Sequence, residues 1–252
     1  MTVTREFLSN FTKIKRTPML LLHLLTPIAI TVLFLLYYGS VGYRIIPDVR
    51  SFFLLLQIGY PIFASMAVSI FIHLDRNING LQNALGLVES RKCVYLGKLF
   101  FLLFLSAVNV ILYEVCFYIG VNWFLNSSII HFDFYLAVFC IFLFCNLFLY
   151  LLHMAVAFRF GSSVSVLLGV SGTILAGIFE NPMGDKIWTA IPWEWGVRFL
   201  KECMNVSGIP VFFEVVLPII ITLAILVLTT LWFDRWEGKA VSYTHLTLPT
   251  TP

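Results

Sequence analysis

The chain has 252 residues, of which 60% are hydrophobic and only 12% are charged, with a formal net charge of +3. A soluble domain averages about 45–50% apolar and about 25% charged residues. The composition therefore predicts lipid-facing surface and excludes an ordinary soluble domain. We interpret the small positive charge as a sign of membrane topology and not of nucleic-acid binding.

Residues before the first apolar stretch form an amphipathic segment. Val3, Phe7, Phe11 and Ile14 recur at helical spacing among basic residues. This pattern is typical of a helix that lies on the anionic inner leaflet of a membrane. An unstructured basic tail is the alternative, and the periodic aromatic residues favour the helix.

Six apolar stretches, each long enough for a transmembrane helix, then follow one another. They cover residues 19–38, 51–72, 94–119, 134–157, 163–179 and 213–233. About 20 mostly apolar residues cross the hydrocarbon core, and they do so as a helix because backbone amides in lipid must be bonded within the segment. The sequence therefore predicts an all-α integral membrane protein, with a six-span domain over residues 1–239.

The distribution of charge predicts the orientation of these spans. With the N-terminus in the cytoplasm, most of the 16 lysines and arginines fall on inner segments. Because short cytoplasmic loops carry the excess of positive charge, we expect both termini to be cytoplasmic. Residues 240–252 are Thr-rich and non-periodic and resemble translated adapter sequence, so we expect a non-native or unstructured tail there.

Small residues recur at every fourth position of the fifth span. They are Gly161, Ser165, Gly169, Thr173 and Gly177. Such a ridge lets another helix backbone approach closely. Its partner is either a neighbouring span of the same chain or a span of another subunit, and the pattern favours neither.

The sequence lacks the common motifs for nucleotide binding and zinc-dependent catalysis. The chain has no G-x-x-x-x-G-K-[ST] phosphate loop and no H-E-x-x-H zinc motif. Glu114 and His153 are the deep ionisable residues that an integral membrane enzyme would use, but the predicted topology places them toward opposite faces of the membrane. We therefore expect no catalytic residues, no metal site and no cofactor in this chain, with an enzyme as the less favoured alternative.

The longest predicted inner loop covers residues 75–98 and resembles the coupling segment of type-2 ABC exporter permeases. An acidic residue, an Asn-Gly pair, an apolar stretch and a Ser-Arg pair with a following basic residue occur there in the same order. The matching positions are Asp75, Asn79, Gly80, Leu85, Ser90, Arg91 and Lys98, and Lys92 adds to the basic edge. The resemblance implies a separate ABC ATPase subunit that binds ATP and Mg, and a second permease that is either the same chain or a sister chain.

The outer segment before the last span resembles the lantibiotic immunity permeases. Its motif is Gly-Asp-x-Ile-Trp followed by Pro-Trp-x-Trp-x-x-Arg. The matching positions are Gly184, Asp185, Ile187, Trp188, Pro192, Trp193, Trp195 and Arg198. We expect the three tryptophans either to anchor the segment as an interfacial belt or to contact an amphipathic peptide. Arg198 either makes a specific polar contact with the peptide or forms a solvent-accessible pair with Glu194, one helical turn earlier.

Together these resemblances imply a function in the bacterial cell membrane. They indicate the permease subunit of an exporter that expels lantibiotic-type antimicrobial peptides and so gives self-immunity or resistance. A permease for another amphiphile, either another antimicrobial peptide or a lipid, is the main alternative.

Overall fold

The computed structural model describes residues 2–15, 17–41, 49–79, 90–124, 130–204 and 212–236. Within these ranges all regular secondary structure is helical. The helices are α1 (Val3–Ile14), α2 (Pro18–Val41), α3 (Ser51–Asn79), α4 (Arg91–Trp123), α5 (Phe132–Arg159), α6 (Ser162–Phe179), α7 (Trp195–Met204) and α8 (Phe212–Asp234), with short 3₁₀ turns at Pro182–Gly184 and Trp188–Ala190.

Six of the described helices, α2 to α6 and α8, are long and apolar enough to cross a membrane. Each contains one predicted span, so the prediction of an all-α protein with six spans is confirmed. The predicted inner loop over residues 75–98 was wrong at both ends. α4 begins at Arg91, so Lys98 lies in a helix. α3 continues through Asn79, so Asp75 lies in its last turns. The sequence between these residues contains no proline or glycine that would end the helix earlier.

Three helices form the centre of the bundle. About half of the span residues of α3, α4 and α5 are buried, whereas α2, α6 and α8 expose most of theirs. The core between the central helices is strongly aromatic: the rings of Phe52 and Phe117 stack with centroids 4.8 Å apart. At the corner between α5 and α6, Gly161 has a φ of 109°, a backbone conformation that favours glycine.

The small-residue ridge of α6 packs against α3 of the same chain. A Cβ atom on Gly169 would lie 2.2 Å from Ser65 Oγ and 2.8 Å from the Pro61 carbonyl oxygen. Thr173 Oγ1 accepts a hydrogen bond from the Ile62 backbone N–H at 3.2 Å, next to the proline that has no N–H. The structure therefore supports packing within the chain at these positions.

The other members of the ridge differ in their surroundings. Ser165 is buried beside His153 of α5, with 3.1 Å between Oγ and Nδ1. Gly177 is exposed, and the nearest atom to a Cβ built on it is Ile58 Cγ2 at 3.8 Å. Of the two alternatives for the ridge, packing within the chain therefore holds at its centre, which α3 and α5 cover.

We predict that Gly169→Ala lowers the unfolding temperature of the purified protein. The added methyl group has no room against α3, and overpacking of this kind costs about 1–3 kcal/mol. Gly177→Ala is the matched control, because its Cβ meets only ordinary contact distances and alanine favours the helix. Equal effects of the two substitutions on thermal unfolding in lipid nanodiscs would contradict the close approach of α6 to α3.

Candidate functional site

One end of the bundle joins α1 to the start of α4 through a buried ion pair. Lys98 Nζ lies 3.2 Å from Glu6 Oε1, and the Lys98 side chain is only 1% exposed. Lys13 Nζ lies 3.3 Å from the same carboxylate oxygen, and the Lys98 ammonium lies 5.3 Å from the centre of the Phe71 ring of α3. One carboxylate therefore receives two lysines and holds α1 against α4.

Close packing accompanies this ion pair. A Cβ atom on Gly97 would lie 2.7 Å from Glu6 Cβ, so glycine allows the two helices to approach. Phe7 and Phe11 pack edge-on against the rings of Phe101 and Phe104. These contacts show that the apolar face of α1 rests partly on α4.

The prediction of an N-terminal helix is confirmed, but its packing was predicted only in part. Glu6 and Asn10 are buried, so part of the polar face of α1 is covered as well. The sequence offered one signal for this arrangement, namely a lone acidic residue in a segment otherwise rich in lysine and arginine. That signal does not identify Lys98 as the partner, because the two residues lie 92 positions apart.

The same end of the bundle fastens α4 to the end of α8. Arg91 Nη1 donates a hydrogen bond to the Trp236 carbonyl oxygen at 2.6 Å. Lys92 Nζ lies 3.3 Å from Asp234 Oδ2, in a partly exposed pair. We call this region, formed by α1, the start of α4 and the end of α8, the junction.

The predicted coupling residues fall in different parts of the structure. Ser90 is the N-cap residue of α4, and Asp75 and Asn79 lie in the last turns of α3. Gly80 and Leu85 lie outside the described residues. Lys98 lies in α4 and not in the predicted loop, and its ammonium group is buried against Glu6.

We predict that Lys98→Met strongly destabilises the protein, because it leaves the buried Glu6 carboxylate without one of its two lysines. Breaking a buried ion pair costs roughly 3–5 kcal/mol. Lys13→Met is the control and should cost about 0–1 kcal/mol, since its side chain is 27% exposed. The double variant Glu6→Gln/Lys98→Met should recover part of the loss in thermal unfolding. Additive losses would contradict a direct coupling between these two residues.

The opposite end of the bundle is closed by residues 180–204, which we call the cap. Arg198 holds it together: Nη1 lies 2.5 Å from Asp185 Oδ1, while Nη2 donates to the Phe179 carbonyl at 2.6 Å and the Asn181 carbonyl at 3.0 Å. The last carbonyl groups of a helix need such partners. The guanidinium therefore satisfies the end of α6 and binds the following turn to α7.

Glycine and a second cation complete this attachment. A Cβ atom on Gly184 would lie 2.0 Å from the Phe179 carbonyl oxygen and 2.4 Å from Arg198 Nη2, so a larger residue would displace the guanidinium. Lys201 Nζ of α7 lies 2.5 Å from Glu180 Oε1. The Gly-Asp and Arg positions of the sequence motif thus meet in space.

Two of the three motif tryptophans form the interior of the cap. Trp195 is fully buried, stacks at a tilt on Phe148 of α5 with centroids 4.9 Å apart, and donates from Nε1 to the Thr189 carbonyl at 2.9 Å. Trp188 is also buried and packs edge-on against Phe199. The predicted contact of these two side chains with peptide at the surface is therefore wrong, as is their role in an interfacial belt.

The remaining motif residues lie nearer the surface. Trp193 is half-buried, and its ring occupies the space beside Gly172 of α6, 2.4 Å from the position of a Cβ there. Pro192 is half-buried and Ile187 is 44% exposed. Ile187 is therefore the apolar motif residue most available to a ligand.

The Glu194–Arg198 pair exists but is not solvent-accessible as predicted. Glu194 Oε2 lies 3.6 Å from Arg198 Nε, and the Glu194 side chain is fully buried because the cap folds onto the bundle. Burial raises the pKa of Glu194 to about 7, while the cations Arg198 and Lys201 act to lower it and Glu180 acts to raise it. Sequence spacing predicts the pair, but burial follows only from the tertiary fold.

We predict that the cap loses stability as the pH rises from about 4.5 to about 7. The pKa of Glu194 rises from its ordinary value of 4.5 to about 7 on folding, so the folded state binds more protons than the unfolded state in this window. Glu194→Gln should therefore reduce the pH dependence of the unfolding temperature. At pH 8 the unfolding temperature of the variant should be higher than that of the unmodified protein. Parallel pH profiles for the two proteins would contradict a buried, titrating Glu194.

A cleft of about 300 Å³ lies between α2 and α3, and Tyr113 of α4 contributes to its lining. Its walls include Leu33, Leu55 and Gly59, and nearly all of its surface is apolar. Nothing lies within 4 Å of a Cβ built on Gly59. The cleft is therefore suited to a hydrocarbon group.

The deep ionisable residues Glu114 and His153 lie on different helices. His153 contacts Ser165, whereas Glu114 is half-buried on another helix, α4. Among the described residues, no group of three or more His, Cys, Asp or Glu side chains could hold a metal ion.

Compared with protein-family models, characterised proteins and solved structures, the chain matches none.

Proposed function

We propose that this chain is the permease subunit of an ATP-driven exporter that removes lantibiotic-type antimicrobial peptides from the bacterial cell membrane. The junction is the observation that supports this proposal most. The segment between Asn79 and Ser90, which resembles an ABC coupling segment, connects α3 to α4 at the end where α1 and α8 are also fastened. A movement of this segment would therefore reach four helices.

A separate ATPase, which binds ATP and Mg, would supply that movement. Displacing the start of α4 would move α1 through Glu6–Lys98 and α8 through Arg91 and Lys92. α4 has 33 residues and is about 50 Å long at 1.5 Å per residue, so it would carry the displacement to the far end of the bundle. The exporter would pair this chain with a second copy or a sister permease.

The peptide would meet the exporter at the cap. Met183 and Ile187 expose large apolar side chains there, whereas Trp188 and Trp195 hold the cap together from inside. Expulsion requires two states of the permease with different affinities for the peptide, because a ligand shifts an equilibrium only by its differential affinity. The proposed motion of α4 would provide the change between them.

A second candidate function is a permease for another amphiphile, such as a lipid. The cleft between α2 and α3 favours it, because an apolar cleft can bind the hydrocarbon group of any amphiphile. Gly59→Leu would extend apolar atoms into this cleft, because a Cβ atom at this position has open space around it. Loss of function in this variant, with the cap variants unaffected, would favour the second candidate.

We predict that co-expression of this chain with its ATPase protects a sensitive bacterium against a lantibiotic. Protection should disappear when the phosphate-loop lysine of the ATPase is replaced. Ile187→Asp should reduce protection at unchanged membrane abundance, because a charge would replace the exposed apolar contact. Growth at increasing peptide concentration is the measurement.

Phe132→Asp is the matched control, because Phe132 is an exposed aromatic residue at the start of α5, outside the cap. It should leave protection intact. Protection that does not depend on ATP hydrolysis, or that falls equally in both variants, would contradict the proposed exporter and its peptide contact.

A further inference from the structure

Four polar side chains meet at the centre of the bundle, where α3, α4 and α5 pack. Tyr60 Oη and Ser106 Oγ are 2.9 Å apart, and Asn146 Nδ2 donates to Ser106 Oγ at 2.8 Å. The Tyr150 hydroxyl group lies close to Tyr60 and Ser106, but neither contact has the geometry of a hydrogen bond. All four residues are buried, and we call them the central polar cluster.

The hydrogen bonds within this cluster do not satisfy all of its atoms. Asn146 Oδ1 and Tyr150 Oη have no hydrogen-bond partner among the described residues. Buried polar atoms in folded proteins nearly always have a partner, either a protein group or ordered water. Lipid supplies no hydrogen-bond partners, so the free-energy cost of leaving these two atoms unpaired would remain.

The two unsatisfied atoms belong to one face of α5. Asn146 and Tyr150 are four positions apart, so their side chains are neighbours on the helix surface, and both lie close to Ser106. His153 follows three positions later on the same buried face, and its Nε2 likewise finds no partner within the described ranges. Polar atoms that need partners thus follow one another along α5.

We propose that the central polar cluster binds ordered water inside the bundle, in a site formed by α3, α4 and α5. A water molecule there donates one hydrogen bond to Asn146 Oδ1 and another hydrogen bond joins it to the Tyr150 hydroxyl group. Sites of this kind need between about two and four polar partners, and Ser106 and Tyr60 provide further oxygens. The proposal does not depend on the exporter function.

Hydroxyl-radical footprinting of the full chain in lipid nanodiscs tests the proposal, because radicals formed from bound water label the side chains beside it. Tyr150 should be labelled several-fold more than Phe117. Phe117 is equally buried but packs between Phe52 and Phe53. Asn146→Leu should abolish the labelling of Tyr150. Labelling of Tyr150 at the level of Phe117 in the unmodified chain would overturn the proposal.

Tyr150→Phe gives a second, independent readout. If the hydroxyl group binds water, its removal should lower the unfolding temperature. If the site is dry, removing an unpaired polar atom should raise it. Tyr60→Phe is the control, since it loses the hydrogen bond to Ser106 in either case. A higher unfolding temperature for Tyr150→Phe would overturn the proposal.

Discussion

The contact on which the junction depends is the buried ion pair between Glu6 and Lys98. Both charges are removed from water, and a buried ion pair contributes little more stability than a well-packed apolar pair would. Breaking it is nevertheless expensive, because one charge is then left buried. We interpret the pair as a device that fixes the position of α1 on α4. The pair makes α1 part of the bundle. Without it, the apolar face of α1 would suit binding to a membrane surface.

The cap follows the same physical logic at the other end. Arg198 satisfies the last carbonyl groups of α6 and holds Asp185, while Trp195 supplies buried apolar area against α5. A planar guanidinium suits this role because it can bind several acceptors in fixed directions. The two ends thus differ. At the junction, ion pairs and hydrogen bonds hold α1, α4 and α8 together, and the segment that connects α3 to α4 begins and ends there. At the other end, the cap packs over the helices.

The six spans could be predicted from the sequence because lipid requires long apolar stretches whose amides are bonded internally. The contact between the Gly-Asp and Arg positions of the motif could not be predicted from the sequence, since a motif gives the order of residues along the chain and not their distance in space. The burial of Trp195 was missed for a related reason: a tryptophan near a membrane boundary has the same local sequence whether it faces lipid or the protein. The sequence places Lys98 near the start of the third span but does not identify Glu6 as its partner, because ion pairs between distant segments leave no periodic pattern.

We propose that the segment between α3 and α4 docks an ATPase and that the junction conveys its movement. Photo-crosslinking from an unnatural amino acid at position 85, in membranes of the native host, tests this docking. We expect an adduct with a soluble protein that carries a phosphate loop, identified by mass spectrometry, and a change in crosslinking yield when ATP hydrolysis is blocked. Adducts with lipid alone, or with other copies of this chain alone, would contradict it.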